Sequence, residues 1–184
     1  MPLVAQPPVI TAVNYPSATQ PFTPRTVADV TDFVVHHTAG PVTQTPLQID
    51  AFERSRGDIF MPYTWLIDNG GTIYAGRPAL AMSAATYGRN MNSVAVCLIG
   101  NFQSNDAGFT GDPTAQQVAA LTDLCIWAHR NYAAITRTYA HGDVAALFYN
   151  NDSNYATDCC GDRLRALLPA LRQSVSAALQ HGGA

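Results

Sequence analysis

The chain has 184 residues, 47% of them hydrophobic and 12% charged, with a net charge of −3. That length suits one domain with a full hydrophobic core, the composition excludes a disordered tail, and no apolar run approaches the roughly 18 residues of a membrane span. All 10 basic residues are Arg and they form no cluster, so neither nucleic acid nor a stable membrane association is expected.

In chain order, residues 1–30 hold six of the 12 prolines among Thr, Ser and Gln, which predicts an extended N-terminal arm with no core of its own, ahead of a single domain over 31–184. The first residues lack a positive n-region, a continuous apolar stretch and a small-residue cleavage site, so no secretory signal is expected. From Asp32, DFVVH reads as a short buried strand broken by TAGP. TPLQIDAFERSR predicts a helix with Thr45 as N-cap, Pro46 at its first position and Gly57 as its stop. Leu47, Ile49, Ala51 and Phe52 fall at helical spacing, and Glu53, the only Glu, is expected on the solvated side. YTWLID and TIYAGR flank Asn69-Gly70-Gly71, a hairpin signal. SVAVCLIGNF is continuously apolar, as expected of a central strand covered on both faces.

DPTAQQVAALTDLCIWAHRNY predicts a long amphipathic helix ending near Tyr132, with His129 at its surface or boundary. TRTYAHGDV reads as a short strand running into a loop, and residues 162–180 as a C-terminal helix kinked or restarted at Pro169. Strands and helices alternate without repeats, which predicts an α/β fold with a central mixed sheet flanked by helices. Of the four cysteines, Cys97 and Cys125 are expected as buried thiols, and the set is too sparse for a secreted disulfide scaffold.

Metal-type ligands concentrate in His36-His37, His141 and Cys159-Cys160. Imidazole with thiolate favours zinc, and three protein ligands leave a fourth tetrahedral position for water. With no CxxC or HExxH, spacing alone favours satisfied core histidines and inert thiols over zinc.

The flanking blocks resemble the amidase-2 family, which includes phage lysozyme-type N-acetylmuramoyl-L-alanine amidases and the peptidoglycan recognition proteins. FVVHHTAGP, YTWLIDNGGTIYAGRP, NSVAVCLIGNF, AHGDV and TDCCGDRL match its ordered blocks across roughly residues 32–168. The resemblance implies the peptidoglycan recognition protein fold. It implies Zn2+ held by His36, His141 and Cys159, with catalytic assistance from Tyr63 and from Thr157 facing the oxyanion. The implied reaction is hydrolysis of the amide between N-acetylmuramic acid and L-alanine of peptidoglycan. The alternative is a module of the same fold that binds peptidoglycan without cutting it, disfavoured because Cys159 is retained.

Strand alternation allows only one of the adjacent histidines to meet His141, so His37 is expected to pack beside the site or orient it. Cys160 stands where the family usually has Pro, and a Cys159–Cys160 disulfide would remove the metal. The sequence also departs from the family at other positions. Ile99 lies where one branch has a Glu base, and AHGD replaces GHRD, losing an arginine. The extra disulfide of animal recognition proteins is missing, so the expectation is a bacterial or phage enzyme, a monomer acting on the cell wall after holin-type or virion delivery. Arg77, Arg89, Asn92 and Asn101 are candidates for glycan or peptide contacts, Arg77 equally for a structural role.

Overall fold

Among residues 7–181, which the computed structural model describes, the chain runs through β1 (Ile10–Thr11), β2 (Asp32–His37), α1 (Pro46–Ser55), β3 (Trp65–Ile67), β4 (Ile73–Ala75), β5 (Ser93–Leu98), α2 (Ala115–Asn131), β6 (Arg137–Ala140), α3 (Val144–Phe148), α4 (Asp162–Arg165) and α5 (Leu168–His181). The strands form one mixed sheet in the order β1-β4-β3-β5-β2-β6. Only the β3–β4 hairpin is antiparallel. β5 and β2 are buried at every position, as the apolar runs require of central parallel strands.

Side-chain alternation along the strands separates two faces. Phe33, Val35, Val94, Val96 and Leu98 meet Leu121, Leu124, Cys125 and Ala128 of α2 and Leu168, Leu171 and Val175 of α5 in the main core. Truncating a side chain such as the fully buried Leu124 to Ala there removes about 2–5 kcal/mol. On the other face Ile49 of α1 packs with Met61, Leu66 and Ile99, and Val34 packs with Tyr139 and Val144. α1 is capped by Thr45 with Gln48 in a capping box. Of its expected apolar face only Ile49 is buried, while Leu47 and Phe52 are exposed.

The hairpin turn forms where Asn69-Gly70-Gly71 predicts it. The Asp68 carboxylate accepts from the Gly70 and Thr72 amides, and Gly71 takes φ +84°, the left-handed region glycine favours. After β6 the chain does not enter a plain loop: a 3-10 turn, His141–Asp143, runs directly into α3. The C-terminal segment restarts before Pro169, which sits in the first turn of α5 where its missing amide is tolerated.

Residues 1–6 of the expected arm lie outside the described residues. Over 7–30 the chain is tied to the domain by β1 against β4 and by Arg25, whose guanidinium donates to the carbonyls of Ala79, Asn90, Met91 and Ser93. Val30 at its end belongs to the main core. Asp32, fully buried at the start of β2, accepts from Arg89, Arg137 and the Tyr139 hydroxyl, and both guanidiniums lie over the Phe148 ring. No helix among the described residues is long and apolar enough to cross a membrane.

Candidate metal centre

The sheet register assembles the first two candidate ligands. Val35 of β2 pairs with Ala140 of β6, so the next residues along these parallel strands, His36 and His141, come side by side with ring centroids 4.8 Å apart. Cys159 arrives from the segment before α4, its Sγ 3.6 Å from His36 Nδ1. The ligand atoms of His36, His141 and Cys159 all lie within 4.8 Å of one another. His37 points to the opposite face of β2, where its Nδ1 accepts the Phe102 amide, as strand alternation requires.

Gly142 holds the two ligand-bearing segments together. Its amide donates to the Cys159 carbonyl, and a Cβ placed on it would run into Arg165 Nη2 and the carbonyls of Thr157 and Cys159. A side chain is therefore excluded at this position of AHGD by close backbone approach, and the guanidinium of Arg165 occupies the space in front of it.

The electrostatics suit a cation. Burial holds His36 well below the usual imidazole range, with His141 and His37 adding to the effect, and lowers His141 to about 4. Both rings are therefore neutral near pH 7, each with a lone pair for a metal. Burial pushes the Cys159 thiol up to about 12, against the opposing pull of the His37 backbone amide and Arg165. A divalent cation beside that sulfur supplies the missing charge compensation and makes the thiolate the stable form. Two neutral imidazoles and one such thiol, three donors in a partly open pocket, fit a zinc ion with one position left for water.

The three groups border a cavity of about 760 Å3 that Tyr63 and Thr157 also line. Tyr63 sits two residues before β3, its ring centroid 5.5 Å from that of His36. Burial, with Cys97, Cys159 and Glu53 nearby, raises its phenol well above the ordinary value. It is therefore a neutral hydrogen-bond donor at physiological pH and not a phenolate base. Thr157 Oγ1 accepts the Cys159 amide at 3.2 Å, which leaves its hydroxyl proton free for another acceptor.

Glu53 is a correction. It lines the cavity, half-buried, with its carboxyl raised by burial, because α1 turns Phe52 and Glu53 toward this cleft instead of toward open solvent. Arg56, Asp58, Asp106 and Asp158 line the same space. The four polar candidates outside the ligand blocks do not. Arg77 is buried and donates to the carbonyls of Phe60, Met61 and Met82, and Arg89 is spent on Asp32. Asn92 donates to the Asp29 carbonyl, and Asn101 braces the loop at Asp106. All four cysteines are free thiols, with Cys160 in the main core. His129 is half-buried on α2, its Nε2 2.9 Å from the Thr138 hydroxyl. Thr86, a residue the sequence did not single out, is fully buried with Oγ1 3.1 Å from His36 Nε2.

Residues 26–161 match the family model described as N-acetylmuramoyl-L-alanine amidase. Over 100 residues the chain is 33% identical to an endolysin of Enterobacteria phage T3 and 32% to one of Escherichia phage T7, in each case over 53% of this chain. The match spans 64% of the length of each of these curated relatives. Among solved structures, an N-acetylmuramoyl-L-alanine amidase endolysin, LysCS, from Clostridium intestinale is 28% identical with a TM-score of 0.72, over 91% of this chain and 98% of that one. A peptidoglycan recognition protein from Apis mellifera gives a TM-score of 0.69 at 19% identity, over 88% and 94% of the two chains, a likeness of fold alone.

Proposed function

The chain belongs to the N-acetylmuramoyl-L-alanine amidase family, and from that premise we propose that it is a zinc-dependent enzyme that hydrolyses the amide between N-acetylmuramic acid and L-alanine of peptidoglycan. The observation that carries this reading is the convergence of His36, His141 and Cys159 at the wall of an open cavity that also presents Tyr63 and Thr157. His36, His141 and Cys159 would hold the ion. When bound, zinc lowers the pKa of water toward 7 and polarises a carbonyl as a Lewis acid.

The remaining work falls to the chain's own groups. Tyr63, kept neutral by burial, holds the attacking water or donates toward the departing amine. The Thr157 hydroxyl, its oxygen already engaged by the Cys159 amide, donates to the oxygen that gains charge as the carbonyl becomes tetrahedral. The core strand offers no carboxylate, since Ile99 is buried in an apolar cluster. The names of the phage relatives support action on the cell wall, the route there being holin-type release or virion delivery, and a monomer is sufficient because all named groups come from one chain.

The decisive measurement is zinc content together with the mass of products released from purified peptidoglycan. We expect one zinc per chain and free stem peptides beginning at L-alanine. Hydrolysis persisting in chelated, metal-free protein would overturn the zinc assignment. Tight binding of peptidoglycan with no product at full zinc occupancy would overturn the enzymatic one.

A further inference from the structure

We propose that Thr86 is a positioning residue that fixes which ring nitrogen of His36 is offered to the metal. The inference rests on the zinc reading above but concerns a residue outside the ligand blocks. His36 is 1% exposed, so its ring has no water to satisfy a nitrogen that points away from the ligand cluster. Its two nitrogens face different partners: Nδ1 lies 3.6 Å from Cys159 Sγ, on the ligand side, and Nε2 lies 3.1 Å from Thr86 Oγ1, on the far side. An imidazole that binds a cation through Nδ1 must carry its proton on Nε2, and that proton needs an acceptor. The Thr86 hydroxyl oxygen is the acceptor at that edge. It selects the tautomer and holds the ring plane at the angle that aims Nδ1 at Cys159 and His141.

Thr86 is built into place by contacts independent of its hydroxyl. Its backbone amide donates to Asn90 Oδ1 at 2.8 Å, the same oxygen that accepts from Ser83 Oγ, and the carbonyl of Asn90 is held by Arg25. The loop from Ser83 to Asn90 is thus anchored to β5 and to the segment before β2 before any metal arrives. Because the anchoring uses the main chain of residue 86, valine keeps the loop and its volume while deleting the one atom His36 uses.

Zinc affinity is measured by chelator competition on full-length wild type, Thr86→Val and Thr86→Ser, with thermal melts of the metal-free proteins alongside. We expect Thr86→Val to stay folded with a metal-free melting point lowered only by the loss of one buried hydrogen bond, and to bind zinc about 10- to 100-fold more weakly, and Thr86→Ser, which restores the hydroxyl, to return close to wild type in both. A Thr86→Val affinity within twofold of wild type, or a Thr86→Ser affinity as low as that of Thr86→Val, would overturn the proposal. Imidazole 15N shifts of zinc-loaded wild type read the same point without a variant: His36 protonated at Nε2 supports it, and a metal on Nε2 overturns it. Failure of the proposed reaction is distinguishable, because zinc-loaded protein that hydrolyses nothing still displays the Thr86 contrast.

Discussion

Gly142→Ala is expected to weaken zinc binding by roughly 5- to 150-fold while leaving a folded protein. The added methyl would meet three groups at once, Arg165 Nη2 and the carbonyls of Thr157 and Cys159, and two of these are main chain that cannot swing aside. Overpacking of this kind costs about 1–3 kcal/mol. In the metal-free protein the strain is relieved by letting the segment after β6 separate from the segment that carries Cys159. With metal bound, His141 and Cys159 are held to one ion whose ligand distances tolerate only about 0.2 Å, so the strain stays and appears as lost affinity, about tenfold for each 1.4 kcal/mol. Chelator competition on the variant and on a Gly57→Ala control reads this directly. Gly57 has φ +107° but nothing within 4 Å of an added Cβ, so the control carries backbone strain without the collision. Zinc affinity of Gly142→Ala within twofold of wild type would refute the reasoning.

Three further outcomes are expected. Tyr63→Phe should lower kcat by about 100- to 1,000-fold with zinc content and KM little changed, as removal of one donor to the transition state does; steady-state kinetics on muropeptides check it. Asp32→Ala should destabilise the protein by about 3–5 kcal/mol in urea unfolding, because Arg89 and Arg137 lose their shared buried carboxylate far from the cleft. The metal-free protein should lose stability as pH falls from about 6.5 toward 4. His37 and His141 titrate near 4 when folded, so the unfolded chain binds more protons throughout that window, and the stabilisation is fully present only above it. Each contributes on the order of 2 kcal/mol between pH 7 and pH 5, seen as a lower urea midpoint.

The sequence carries the elements whose signals are local. The Thr45-Pro46 start of α1, the Asn-Gly-Gly turn and the apolar run of β5 each state their structure within a few residues, and the structure agrees. The three candidate ligands are legible as a set only through the blocks around them, since His36 and Cys159 meet across 123 residues. Thr86 was not legible at all, because a threonine in an irregular loop has no pattern that points to a histidine 50 positions away. Glu53 was misplaced for another reason. Helical spacing groups Leu47, Ile49, Ala51 and Phe52 on one nominal face, but of these α1 buries only Ile49, while Leu47 and Ala51 are exposed and Phe52 borders the cleft beside Glu53. Helical spacing alone does not say how α1 is rotated against the sheet. Arg89 and Asn101 lie close in sequence to the site's strands, yet their polar ends are consumed by Asp32 and Asp106, contacts that only the folded chain discloses.

The parallel pairing of β2 with both β5 and β6 has a consequence for the order in which the protein matures. β2 precedes both of its neighbours, at residues 93–98 and 137–140, and the candidate ligand Cys159 comes later still. A chain extended only to the end of β6 holds every strand of the sheet but not the thiol. The proposed metal site is therefore complete only once Cys159 has been added, after every strand of the sheet. If the proposed zinc binds there, a concentration 100 times its dissociation constant adds about 2.7 kcal/mol to the folded state.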